Sequence, residues 1–197
     1  IVSNSDPLFM NSSSDNYRLQ PQSPAKNIGN NSYVSGITTD LDGKSRIVNT
    51  TVDLGAYEYY GILFVKPGAS GVNGLSWGDA FGELSTAITT ANTLNTTQAG
   101  TINEIWVAAG TYYPQFTAGS GSTTRDQAFV LPANVKIYGG FAATETLLSQ
   151  RNWTNNSTIL SGDLGTIGTT SDNAYHVVIS AGSVGTAELN GFTITGA

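Results

Sequence analysis

Val52-Asp53-Leu54-Gly55-Ala56-Tyr57-Glu58-Tyr59-Tyr60-Gly61-Ile62-Leu63-Phe64-Val65-Lys66-Pro67 divides the chain. Its first half sets turn residues, Asp53 and Gly55, among isolated apolar ones, as a segment that closes a structural unit does. Its second half, Ile62-Leu63-Phe64-Val65 stopped by Pro67-Gly68, is a near-continuous apolar run and reads as a buried strand that opens another. Two units are therefore expected, 1–60 as the β-rich end of one and 61–197 as the start of a second.

Upstream, Asp6-Pro7-Leu8-Phe9, Tyr17-Arg18-Leu19 and Ser23-Pro24-Ala25 are short apolar groups between turn signals. They are too brief for helices, and the prolines bar a central strand, so irregular coil is expected. Thr38 to Arg46 holds an Asp42-Gly43 turn, and with the alternation from Ile47 to Val52 that follows it predicts a hairpin or a rim strand. Downstream, Ser76 as an N-cap with Asp79 three residues on, and a stripe of Trp77, Phe81, Leu84, Ile88 and Ala91, predict one helix. Gly82 lies inside that span and costs it about 1 kcal/mol against Ala.

Apolar runs then recur between Gly, Asn and Ser turns: Ile105–Gly110, Val135–Gly140, Thr158–Asp163, Tyr175–Ile179 and Leu189–Thr195. They start about 15 to 30 residues apart, in the range of coiled repeats. Their shared form and long connections favour parallel pairing over hairpins. The predicted class is all-β, a parallel β-helix solenoid with the helix as its N-terminal cap. The last run has the marks of an interior rung with no polar capping repeat behind it. The chain is therefore expected to be a piece of something longer, with an open edge that invites another chain. Phe192 and Ile194 are the expected stacking residues, met by Leu8, Phe9 and Leu19 of a following segment.

Composition narrows the partners. Charged residues make up only 11% of 197 and the net charge is −6, without a Lys/Arg cluster, which argues against nucleic acid and anionic lipid. There is no cysteine, hence no disulfide framework or thiolate metal site. No apolar run is long enough to span a bilayer, and Ile1-Val2-Ser3-Asn4-Ser5-Asp6 lacks the features of a signal peptide. Asn-x-Ser/Thr triplets such as Asn49-Thr50-Thr51 and Asn95-Thr96-Thr97 read as polar surface.

In order, Asp6-Pro7-Leu8-Phe9, Tyr17-Arg18-Leu19, Ser23-Pro24-Ala25, Asn27-Ile28-Gly29, Thr39-Asp40-Leu41-Asp42-Gly43, Arg46-Ile47 and Val52 to Glu58 resemble the closing segment of right-handed parallel β-helix (pectin-lyase-like) surface and secreted proteins of Bacteroidota. Phe64-Val65-Lys66-Pro67, Gly74-Leu75-Ser76-Trp77, Ile105 to Tyr112, Tyr138-Gly139-Gly140-Phe141, Leu160-Ser161-Gly162-Asp163, Asp172 to Val178 and Leu189 to Ile194 are similar to the opening segment of the same family. The resemblance covers nearly the whole chain, with an end placed before a beginning, as in a tandem array. It implies a secreted or cell-surface setting, export by the type IX route, and an adhesin-like role as a structural repeat of an extracellular fibre. The partners it implies are neighbouring units or copies of itself, and surface polysaccharide.

The chemistry is sparse. Hydrolysis of a glycan uses paired carboxylates about 5 to 9.5 Å apart. Asp126, Asp163 and Asp172, with Arg125 and Arg151, are the candidates, yet Asp163 after Ser161-Gly162 and Asp172 before Asn173 also suit turns. The balance is against an enzyme, with a carbohydrate-active or carbohydrate-binding protein as the alternative. His176 stands alone, so no two-histidine zinc site is available. Asp40 and Asp42 before Gly43 place oxygen ligands as a Ca²⁺ site does, although the Glu of a full loop is missing and an Asp-Gly turn without metal is the plain reading. No other cofactor is implied. Tyr112, Tyr113 and Trp153, with Phe116, are candidate sugar-stacking rings or simply core and rim.

Overall fold

The computed structural model describes residues 5–48, 50–98 and 100–197. The reading of Ile1 to Asp6 thus begins outside the described residues, as does Asn49 in the expected rim strand and in its Asn-Thr-Thr triplet. The chain separates into two compact units, Ile1–Gly61 and Ile62–Ala197.

The first unit starts with an antiparallel pair, β1 (Phe9–Asn11) and β2 (Asn16–Leu19), where coil was expected. The pair forms because Asp15 adopts a left-handed φ of 56° at the turn and Phe9 meets Tyr17 edge-on at 5.4 Å. The Asp-Gly turn brings Thr39 and Ser45 together in an isolated antiparallel bridge. No rim strand follows it among the described residues. The backbone around Val52 bonds elsewhere: Val52 O accepts the Gly29 N–H at 2.8 Å, and the Leu54 N–H reaches Ala25 O at 2.9 Å. Buried apolar residues are few here, Leu19, Ala25 and Val52, beside the polar Ser23, Asp40, Arg46, Asp53 and Glu58. Hydrogen bonds take the place of a hydrophobic core.

The second unit contains β3 (Ile62–Val65), the helix α1 (Leu84–Thr97), β4 (Glu104–Ala108), β5 (Gly110–Tyr112), β6 (Phe129–Val130), β7 (Lys136–Phe141), β8 (Thr158–Ser161), β9 (Val178–Ile179), β10 (Glu188–Asn190) and β11 (Thr193–Thr195). Among the described residues its strands all pair in parallel, in sheets ordered β10-β7-β4-β3, β11-β8-β5 and β6-β9, and one isolated antiparallel bridge joins Thr117 to Gln127. Register stacks like on like. Leu63, Ile105, Ile137 and Leu189 form one column, with Phe64, Trp106 and Tyr138 on the opposite face. On that face Trp106 stacks on Phe141 at 4.7 Å and 12°, and Trp77 closes over both Phe64 and Phe141. Gly140, at φ +94°, has the Trp153 backbone 2.8 Å from where a Cβ would stand, so only glycine fits there.

The all-β expectation is overturned. Among the described residues the chain is an α/β mixture of four small sheets, one antiparallel and three parallel, with one α-helix. It is not an all-β right-handed parallel β-helix with a helix as its cap, preceded by the end segment of another unit. The physical reason lies in α1, whose Leu84, Ala87, Ile88 and Ala91 join Leu63, Ile105 and Ile137 in one buried cluster. The helix is therefore a layer of the core. The helix also starts later than its apolar stripe suggests. Ser76 Oγ does cap a turn by accepting the Asp79 N–H at 3.2 Å, but that turn is a single 3-10 turn, Trp77–Asp79. Extended Ala80 follows, and Phe81 donates its N–H to Phe64 O of β3 and accepts the N–H of Lys66, just past that strand. Gly82 lies against Ala69 O outside the helix, so it imposes no helical cost.

Candidate functional site

The columns of the second unit are closed at one end and open at the other. Leu63, Ile105 and Ile137 are fully buried, whereas Leu189, next in the column, is only partly covered. In the neighbouring sheet Tyr112 and Leu160 are buried, while Ile194, aligned with Leu160, is 52% exposed. Phe192, between these strands, packs against the core from a half-buried position. Among the described residues β10 and β11 carry no strand on their outer edges. Apolar side chains and unpaired backbone groups thus lie together, an arrangement that accepts a further strand.

Leu8, Phe9 and Leu19 are in the first unit. Leu19 is buried in β2, while Leu8 and Phe9 are half-buried, with Leu8 at a φ of 53° and its N–H donated to Asp6 Oδ1 at 2.9 Å.

Asp40 and Asp42 belong to a polar network. Asp40 Oδ1 accepts the N–H groups of Asp42 and Lys44, both at 2.9 Å, and Oδ2 accepts that of Glu58 at 3.1 Å. Asp42 is held bidentately by Arg18, whose guanidinium also covers the Tyr57 ring at 4.4 Å. Deeper in, Arg46 donates to Glu58 Oε1 and, at 2.6 Å, to Gly55 O. Asp53 accepts from Asn27 and Tyr59 N–H at 2.6 and 2.7 Å. Burial raises the Asp53 and Glu58 carboxyls above their usual range, against the pull of these donors. Among the described residues no three of His, Cys, Asp and Glu assemble as a metal would require. No helix among them is long and apolar enough to cross a membrane.

The aromatic candidates separate. Tyr112 is buried and donates its hydroxyl to Ala108 O at 2.9 Å, and burial raises its pKa. Tyr113 and Phe116 are exposed. Trp153 is exposed beside Arg151, whose guanidinium carbon is 5.0 Å from the centre of the Trp153 ring and 4.8 Å from that of Tyr138, and which reaches Asn190 Oδ1 at 2.7 Å. Asp163 and Asp172 brace one loop, accepting from Gly168 and Thr166 N–H respectively. His176 is exposed and lines a small cavity with Arg125 and Asp126.

Leu189 was missed as an edge residue, although its place between Glu188 and Asn190 marks it as the inward member of a three-residue strand. Nothing local to Arg151 signals that it joins two rings. Compared with protein-family models, curated proteins and solved structures, the chain matches none.

Proposed function

We propose that the chain is a non-catalytic structural and adhesive unit of an extracellular surface or fibre protein, joined to its neighbour through the outer edges of β10 and β11. The observation that carries this reading is the pair of apolar columns that end at half-buried Leu189 and exposed Ile194, with half-buried Phe192 between them. A further layer there completes the burial of three large side chains, two of them already half-buried, for a fraction of the ~1.5–3 kcal/mol that each gives on full burial, and pairs the free edge. That layer is a strand from a second copy of the chain. The extracellular setting and the type IX route follow from the resemblance of the short motifs to Bacteroidota surface proteins.

Sedimentation velocity and electron microscopy of the purified chain test the reading. The native chain is expected to associate end to end as concentration rises. Phe192→Asp combined with Ile194→Asp is expected to leave a folded monomer. A native chain that stays monomeric at millimolar concentration, or a double variant that associates unchanged, removes the edge as the joining surface.

A further inference from the structure

Arg125 is fixed at two points and open at a third. It sits on the 3-10 turn Thr124–Asp126. Its Nε donates to Asn173 O at 2.7 Å, and its guanidinium carbon lies 4.2 Å from the centre of the Tyr175 ring. The loop is tied in the same place by the backbone, since the Tyr175 N–H donates to Arg125 O at 2.8 Å. The ring contact and the Nε bond hold the guanidinium at two points. Neither ion pair among the described residues involves Arg125. Its two terminal nitrogens are thus left as a pre-oriented fork.

The adjacent carboxylate does not close that fork. Asp126 Oδ2 accepts the Ser122 and Thr123 N–H groups at 3.1 and 2.8 Å and the Thr123 hydroxyl at 2.7 Å. These donors hold its pKa below the usual carboxylate range. A cavity of about 220 Å³ opens here, lined by Ala118, Arg125, Asp126, Tyr175, His176 and Ile179. His176 is exposed and lines it beside Tyr175, while the next residue, Val177, is buried in the core.

A planar fork matches a carboxylate bidentately, with the imidazole as a further hydrogen-bonding group. The negative charge of Asp126 repels a dianion more than a monoanion, which favours a carboxylate over the doubly charged form of phosphate. The volume is below the roughly 300 Å³ of ordinary ligand pockets, so a single small ring fits and a larger ligand does not. Ala118 and Ile179 supply apolar wall for its C–H face. We propose that this cavity binds the carboxylate of a small organic acid, with Arg125 as the bidentate donor and His176 beside it. The site is separate from the β10 and β11 edges, and the proposal does not rest on their pairing.

Amide NMR of the chain titrated with galacturonate, galactose and inorganic phosphate tests it. Galacturonate is expected to shift Arg125, Tyr175 and His176 amides saturably, with little response to the other two. Arg125→Lys keeps the charge but not the fork and should weaken binding by about tenfold or more. His176→Ala alters an exposed side chain and should weaken it several-fold with the spectrum otherwise unchanged, which tests the cavity even where Arg125→Lys disturbs the loop. The proposal is overturned by no galacturonate response at millimolar concentration, by equal responses to galactose or phosphate, or by native affinity in the His176 variant.

Discussion

Arg46 and Glu58 stand at the centre of a unit whose interior is more polar than apolar. The Glu58 side chain is fully buried and that of Arg46 nearly so. Removing one member of such a pair leaves a buried charge, and Arg46→Ala should destabilise the unit by about 3–5 kcal/mol, read by hydrogen exchange of its amides. The pH response has an unusual sign. Glu58 and Asp53 are raised by burial above usual values of 4.5 and 3.8, so the native state takes up their protons at a higher pH than the unfolded chain does. Their contribution to stability therefore grows as pH falls from neutral through the raised values, and levels off once the unfolded chain is protonated too. Protection of these amides should increase between pH 7 and about 4.5, and Glu58→Gln should flatten that slope; a steady loss over this range would contradict the burial argument. Asp40-Leu41-Asp42-Gly43 was readable as a turn because its bonds are local. The partnership of Arg46 with Glu58, twelve residues on, was not, because only the path of the intervening chain selects it.

At the scale of elements, α1 owes its stability to one face. Leu84 is buried among the strands, while Thr93 is exposed and returns its hydroxyl to Thr89 O at 2.9 Å. Leu84→Ala should cost about 2–5 kcal/mol by loss of packing and the cavity left. Thr93→Ala should be neutral or stabilising by about 0.5 kcal/mol, since alanine is the better helix former. All three tryptophans, Trp77, Trp106 and Trp153, lie in the second unit, so their fluorescence in urea reads both changes there. The apolar stripe found the helix but not its start, because Trp77 and Phe81 continue the helical spacing by coincidence. Phe81 is held by β3 instead, through a hydrogen bond a local pattern does not contain.

Across the whole molecule, charge and apolar edges oppose each other. Copies carrying a net charge of −6 repel at long range, and salt shortens that range to about 10 Å at 0.1 M. End-to-end association through β10 and β11 should therefore strengthen as salt rises from low to physiological levels. Carboxylate binding at Arg125 should weaken over the same interval, because it depends on attraction between opposite charges. Sedimentation and NMR titration at two salt concentrations check the opposed trends; association that weakens with salt would mean ion pairs hold the copies together.

The amino-acid sequence by itself determined where apolar runs and turns fall. Ile62–Val65, Thr158–Ser161 and the strands near Ile105 and Ile137 are visible because a buried strand needs consecutive apolar residues and a glycine or proline to stop it. It did not determine the class of the fold, since whether a helix caps a sheet or enters its core depends on the space left between strands, and that space exists only once they have paired. The same holds for Arg125. Its charge is written in the chain, but the Tyr175 ring beneath it and the Asn173 carbonyl beside it lie about fifty residues away, and tertiary structure alone brings them together to leave the guanidinium fork open.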